Sequence, residues 1–205
     1  MDDKVTAVLD AYHRRLDEER RLTGADGPPD TASLDKMLLA VGPNTGQLMH
    51  VLAGSLAAPN ILEIDTSYGY STIWLADAAR NSGGRVTTLE LQAYKSAHAR
   101  EKAVEAGLAE YIDFKVGEAV ALIRELPLLF DFVLLDLWKD LYLPCLEAFY
   151  PKLNPGAIVV SDNMIFPGGE DVARYGQAVR AKPGMTSILL PVGSGIEVSR
   201  LETAR

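Results

Sequence analysis

The chain has 205 residues, 48% of them hydrophobic and 23% charged, proportions of a globular protein with room for one substantial core. Its net charge of −8 argues against a nucleic-acid footprint, and its single cysteine, Cys145, excludes an internal disulfide and fits a reducing compartment. No apolar run reaches the ~20 residues of a membrane span, and the charged N-terminus lacks the apolar stretch of a signal peptide, so a cytoplasmic location with no membrane partner is expected.

Val5, Leu9, Tyr12 and Leu16 recur at helical spacing and predict an amphipathic helix over the first twenty residues. "TGADGPPD" (23–30) breaks it with two prolines and two glycines. "ASLDKMLLAVGPNTGQLMHVLAGSLAAP" (32–59) reads as a short helix, a turn at Gly42–Pro43–Asn44 and a second helix ending near Pro59. Strands and helices then alternate. "NILEI", "RVTTLEL", "IDFKVG", "FDFVLLDL" and "AIVVSDNM" read as strands; the segments 70–80, 94–107, 119–126, 140–153 and 169–181 read as the helices between and after them. Residues 185–202 read as two strands joined by Gly193–Ser194–Gly195, a hairpin signal. The pattern predicts an α/β fold, a mostly parallel sheet with helices on both faces and one antiparallel strand added by the hairpin. A single domain is expected over 1–205, with a helical segment at 1–58 and the α/β core at 59–205.

In such sheets ligands bind beyond the carboxyl ends of the strands. The first strand runs into "EIDTSYGYS", a tight turn with one glycine, Gly69, followed by a helix whose free N–H groups point at the turn. Glu90 ends the second strand, twenty-one residues after Gly69, where a carboxylate can accept the two hydroxyls of a ribose; it can equally be a solvated strand-end acid. "VGEA" (116–119) offers a small residue and a polar one to a flat base. The turn is neither G-x-G-x-x-G nor a phosphate loop, and no anchor for a pyrophosphate is visible. The expected cofactor is therefore a nucleoside without phosphates, which S-adenosylmethionine satisfies. Asp136, Asp162 and Asn163 lie just beyond the fourth and fifth strands. Two carboxylates and an amide are hard oxygen ligands suited to Mg²⁺, with Asp162–Asn163 as a plain turn or helix cap the alternative.

"EIDTSYGYS", "LDLWKDLYLP" and "SDNMIFPGGED" together resemble the small cation-dependent O-methyltransferases, most closely the catechol type, over about Met37 to Leu201. The resemblance implies a Rossmann-like class I methyltransferase fold with seven strands, the last inserted antiparallel, and extra N-terminal helices. It implies metal ligands at Asp136, Asp162 and Asn163 and a catalytic base at Lys139. It implies cofactor contacts at Val41, Glu63, Asp65, Ser67, Gly69, Tyr70, Ser71, Glu90, Leu91, Gly117, Glu118, Ala119, Asp136 and Trp138. Substrate contacts fall on Met37, Leu39, Asp136, Trp138, Lys139, Asn163 and Pro167. Two positions depart from the family: Met37 stands where the mammalian catechol enzymes have an aromatic residue, and Asp65 stands where the family usually has glycine.

The implied reaction moves a methyl group from S-adenosylmethionine to a hydroxyl of a small ortho-dihydroxy aromatic. Three protein oxygens leave about half of an octahedral Mg²⁺ shell for the substrate. A free lysine has a pKa of about 10.4, which nearby Mg²⁺ and partial burial both lower toward the range of a general base. Without the resemblance, Lys139 reads as a solvated lysine paired with Asp140. His13, His50 and His98 read as structural or surface residues, and Cys145 as core. Two other functions stay open: methylation of a hydroxylated nucleoside in transfer RNA, which the acidic balance opposes, and a cofactor-binding relative whose catalysis Asp65 has weakened. A homodimer is compatible with the sequence.

Overall fold

The structure is a computed structural model and describes residues 1–26 and 35–202. Seven strands form one sheet: β1 (Asn60–Ile64), β2 (Arg85–Glu90), β3 (Ile112–Val116), β4 (Phe130–Leu135), β5 (Leu153–Ser161), β6 (Met185–Leu190) and β7 (Ile196–Leu201). Their order is β3-β2-β1-β4-β5-β7-β6. Pairs from β3 to β5 are parallel, and β7 lies antiparallel between β5 and β6. The fold class expected from the strand–helix alternation and the family resemblance is the one observed.

The helices are α1 (Asp3–Asp26), α2 (Pro43–Gly54), α3 (Tyr70–Ser82), α4 (Ala93–Glu105), α5 (Ala119–Glu125), α6 (Tyr142–Phe149) and α7 (Glu170–Ala181). Side chains alternate across each strand, which divides the core into two layers. Ile61, Val86, Phe132 and Leu134 face α1 to α4. Leu62, Leu89, Val133 and Leu135 face α5 to α7. Both faces of the central strands are buried, so these segments read as continuous apolar runs. Each such side chain contributes on the order of 1.5–3 kcal/mol through burial. Among the described residues no helix is long and apolar enough to cross a membrane.

Several boundaries differ from the sequence reading. α2 starts at Pro43, inside the expected turn, and ends at Gly54 instead of near Pro59; β4 ends at Leu135 instead of Leu137, and β5 at Ser161 instead of Met164. α1 continues through Gly24 to Asp26; one glycine costs about 1 kcal/mol in a helix and does not by itself end it. The rest of the expected 23–30 loop, and residues 32–34 of the expected short helix, lie outside the described residues. The helix expected over 140–153 is shorter: a 3₁₀ turn at Lys139–Leu141 precedes α6, and a second at Tyr150–Lys152 comes after it. β5 begins at Leu153 instead of 157, because the β4 pairing jumps from Phe130↔Leu153 to Phe132↔Ile158 and the irregularity accommodates Pro155 and Gly156.

Candidate active site

The carboxyl ends of β1 to β5 converge on one edge of the sheet. After β1 the chain turns through Asp65, Ser67 and Gly69, all at positive φ (89°, 47° and 93°), and Gly69 caps α3. The Asp65 and Thr66 N–H groups donate to the Leu89 carbonyl at 3.1 and 2.9 Å, hanging the turn on β2. Gly69 has two reasons to be glycine: its φ is left-handed, and a Cβ there would lie 2.7 Å from the Ala99 Cβ. α1 supports the turn from behind. Tyr12 donates its hydroxyl to the Tyr68 carbonyl at 2.5 Å, His13 Nε2 lies 2.9 Å from the Tyr70 hydroxyl, and the Arg15 guanidinium sits 4.3 Å from the Tyr68 ring centre.

Beneath the turn Glu63 is completely buried. Its Oε2 accepts the hydroxyls of Thr72 and Thr88, both at 2.6 Å, and Thr88 in turn meets Thr66. Glu63 thus ties the turn together from within the protein. Burial pushes its carboxyl up to about 7, against the pull of the Ser71, Thr72 and Thr88 hydroxyls. With an unfolded value near 4.5, its contribution to stability is full below about pH 4.5 and is lost as pH rises to about 7, where the folded protein must ionise it. The loss is on the order of 3 kcal/mol. Glu63→Gln, which cannot ionise, is expected to flatten the fall in unfolding free energy between pH 5 and 8 by about that amount. Urea titrations at the two pH values measure it; an unchanged slope would exclude Glu63 as its source.

Glu90 is buried at the end of β2 and accepts the N–H groups of Ser67 and Gln92, each at 2.8 Å. It therefore faces the turn with fixed oxygens, as a ribose-binding acid must. The Asp65 carboxyl faces Glu90. Burial first, and the Glu90 and Asp136 carboxylates next, hold Asp65 well above the ordinary aspartate range, with Lys95 opposing. The Asp65 side chain thus stands beside the Glu90 carboxylate, in the space that ribose hydroxyls would use. Asp65→Gly is expected to bind S-adenosylmethionine about tenfold more tightly, about 1.4 kcal/mol, since it removes the side chain and the potential negative charge that stand beside Glu90. It also relieves a left-handed non-glycine residue, roughly 1–2 kcal/mol of strain. Calorimetry on both proteins decides it; weaker binding by the glycine variant would make Asp65 a genuine cofactor ligand.

After β3, Gly117 reaches a φ of 155° and the Glu118 side chain caps α5, accepting from Val120 and Ala121 N–H at 3.1 and 2.8 Å. The Glu118 carboxyl is thereby committed to the helix, and the 117–119 segment offers a ligand its backbone. Leu91, the residue after Glu90, is exposed.

After β4 and β5 lie Asp136, Lys139, Asp162 and Asn163. The Lys139 ammonium donates to Asn163 Oδ1 at 2.7 Å, the Tyr142 hydroxyl at 2.8 Å and the Leu137 carbonyl at 2.9 Å, and Asp136 Oδ1 lies 3.4 Å away. Asn163 adopts a left-handed φ of 56°, which asparagine tolerates, and its amide nitrogen donates to the Phe166 carbonyl at 3.2 Å. Asp162 is buried, and its Oδ1 accepts the Ser194 hydroxyl at 2.5 Å. Burial pushes Asp136 up to about 8; Asp162 adds to that and Lys139 opposes it. Burial also raises Asp162, against the Ser194 hydrogen bond. Carboxyls in this condition favour a positive charge among them.

The trio's chemistry fits a hard divalent cation. Two carboxylates and an amide oxygen stand at adjoining strand ends, and oxygens of Asp136 and Asn163 already surround a cation, the ammonium of Lys139. Among the described residues no group of three His, Cys, Asp or Glu side chains is arranged to hold a metal; this set contains two, and its third oxygen is an amide. Trp138, next to Lys139, is 63% exposed, and Phe166, whose carbonyl accepts from Asn163, is 74% exposed; with exposed Pro167 they put apolar surface beside the site, and Leu39 is exposed as well. Met37 is half-buried and Val41 buried. Cys145 is buried, and burial pushes its thiol up to about 12, so it is packing and not a nucleophile.

The sequence reading missed Ser194, Tyr142 and the α1 residues behind the turn. A signal for Ser194 existed. An antiparallel strand must begin where its parallel neighbours end, so the 191–195 hairpin had to arrive at the site.

The family model described as O-methyltransferase matches residues 28–201. A catechol O-methyltransferase of Mycobacterium tuberculosis is 35% identical over 169 residues, 80% of this chain and 73% of that protein. A catechol O-methyltransferase of Niastella koreensis is 34% identical over 136 residues, 63% of this chain and only 60% of its own length. The crystal structure of an O-methyltransferase from Bacillus cereus in complex with SAH superposes with a TM-score of 0.75 at 26% identity, covering 89% of this chain and 96% of that one. The strand order, the turn after β1 and the family match over most of the chain agree: the chain belongs to the O-methyltransferase family.

Proposed function

We propose that the protein transfers a methyl group from S-adenosylmethionine to one hydroxyl of a small ortho-dihydroxy aromatic, with Mg²⁺ or a similar divalent cation. The observation that supports the reading is the pair of oxygens from Asp136 and Asn163 around the Lys139 ammonium, with the buried Asp162 carboxyl next to Asn163 in sequence at the adjoining strand end, at the same sheet edge as a nucleoside-type turn. The relatives named as catechol O-methyltransferases support the substrate class.

Asp136, Asp162 and Asn163 would hold the metal, which supplies Lewis acidity and a template for two adjacent hydroxyls. When bound, S-adenosylmethionine would supply an electrophilic methyl on a sulfonium. Glu90 holds the ribose hydroxyls, and the backbone of residues 117–119 faces the base. Lys139, once it has released its own extra proton to solvent at the exposed rim, would accept the proton of the attacking hydroxyl at the neutral Nζ. Trp138, Met37, Leu39 and Pro167 hold the ring and exclude water, so that the attacking oxygen and the methyl are kept in line. The Asp136 and Asp162 carboxylates would offset a dication held there, and it in turn would relieve the charge penalty their burial creates. A comparison of catechol with resorcinol at equal concentration tests the substrate class. Catechol is expected to be methylated at least about a hundredfold faster, the size of effect expected when a positioning contact is lost; equal rates would remove the requirement for adjacent hydroxyls.

A further inference from the structure

The hairpin between β6 and β7 does more than close the sheet. The Ser194 carbonyl accepts both the Ile165 and Phe166 N–H groups, at 3.1 and 2.8 Å, and the Gly195 carbonyl accepts the Met164 N–H at 2.9 Å. Gly195 sits against Ile165 so closely that a Cβ on it would lie 2.3 Å from Ile165 Cγ1. On its other side, a Cβ on Gly193 would lie 2.4 Å from Thr45 Oγ1, at the start of α2. The hairpin is thus fixed between α2 and the loop 162–168. From that fixed backbone the Ser194 hydroxyl reaches Asp162 Oδ1 at 2.5 Å.

We propose that Ser194 is a positioning residue for the cation site: its hydroxyl fixes the Asp162 carboxylate in the orientation that lets it join Asp136 and Asn163 as a ligand. The inference rests on the divalent-cation reading above. Asp162 is fully inside the protein and has no bulk water to fix its carboxyl plane. A carboxylate held at one oxygen presents the other in a defined direction, whereas a free one loses rotational freedom when a metal binds. The backbone contacts to residues 164–166 come from carbonyl groups of the hairpin, so they survive removal of the hydroxyl. Ser194→Ala therefore isolates the single Oγ–Oδ1 contact.

The test is Mn²⁺ binding to the cofactor-free protein, read by electron paramagnetic resonance of free Mn²⁺, with no turnover involved. Loss of such outer contacts typically weakens a metal site about ten- to a hundredfold. Ser194→Ala is expected to raise the Mn²⁺ Kd at least about tenfold, with S-adenosylmethionine affinity near wild type and a thermal midpoint lowered by the stranded Asp162 oxygen, and Ser194→Thr to restore both. Ser194→Ala with a Mn²⁺ Kd within about twofold of wild type would overturn the proposal while leaving the cation site standing. A wild-type protein that binds no Mn²⁺ would overturn both.

Discussion

Removing divalent cations exhaustively is expected to abolish methyl transfer, with Mg²⁺ or Mn²⁺ restoring it, and Asp162→Ala to lower kcat/KM about a thousandfold or more. Only oxygen ligands are offered by Asp136, Asp162 and Asn163, which favours hard cations over zinc. A thousandfold corresponds to about 4 kcal/mol, within the several kcal/mol that a Lewis-acid metal supplies. Asp162 is buried just beyond the end of β5, and alanine fits there without a steric clash; the variant is expected to stay folded by circular dichroism. It does strand the Ser194 hydroxyl, a loss of about 1–3 kcal/mol in stability that the thermal midpoint will register. Full activity after chelation, with metal content confirmed by mass spectrometry, would remove the cation from the mechanism.

Lys139→Ala is expected to lower kcat by about 10²–10⁴, the range for loss of a positioned general base, while S-adenosylmethionine affinity changes by less than about threefold. The lysine contacts Asn163, Tyr142, Leu137 and Asp136 and no residue of the cofactor turn. A selective fall in kcat therefore separates proton removal from cofactor binding. In the absence of a metal, the same ammonium lies among the site's own oxygens and offsets their charge. The variant should accordingly bind Mn²⁺ at least as tightly as wild type, since the internal competitor is gone. A variant with wild-type kcat at neutral pH would leave hydroxyl activation to the metal alone.

Strands could be read from the sequence because their faces are buried and mostly apolar: "NILEI" ends where the structure puts it, at Ile64, whereas "FDFVLLDL" stops two residues short of its expected end, at Leu135. The start of β5 could not, because Pro155 and Gly156 carry local turn signals that the pairing with β4 overrides. The acids at the strand ends were legible from topology, since a parallel sheet gathers the residues beyond each strand on one edge. The contacts their side chains make there were not. Glu118 turned to cap α5, Glu63 turned inward to two threonines, and Asp65 turned to Glu90, each decided by the packing around it and not by the spacing along the chain. The buttress of Tyr12, His13 and Arg15 behind the turn was hidden for the same reason: helical spacing shows which face of α1 is buried, not what lies against it.

The central claim is metal-dependent methyl transfer to an ortho-diol. Its most direct test is incubation of the purified protein with catechol and S-adenosylmethionine labelled in the transferable methyl, with and without Mg²⁺, and mass spectrometry of the product. The account predicts one labelled methyl on a ring oxygen with Mg²⁺, and none with chelator or with Asp162→Ala. It would be contradicted by absence of transfer in the presence of Mg²⁺ while calorimetry shows the cofactor bound, or by transfer that proceeds undiminished after chelation.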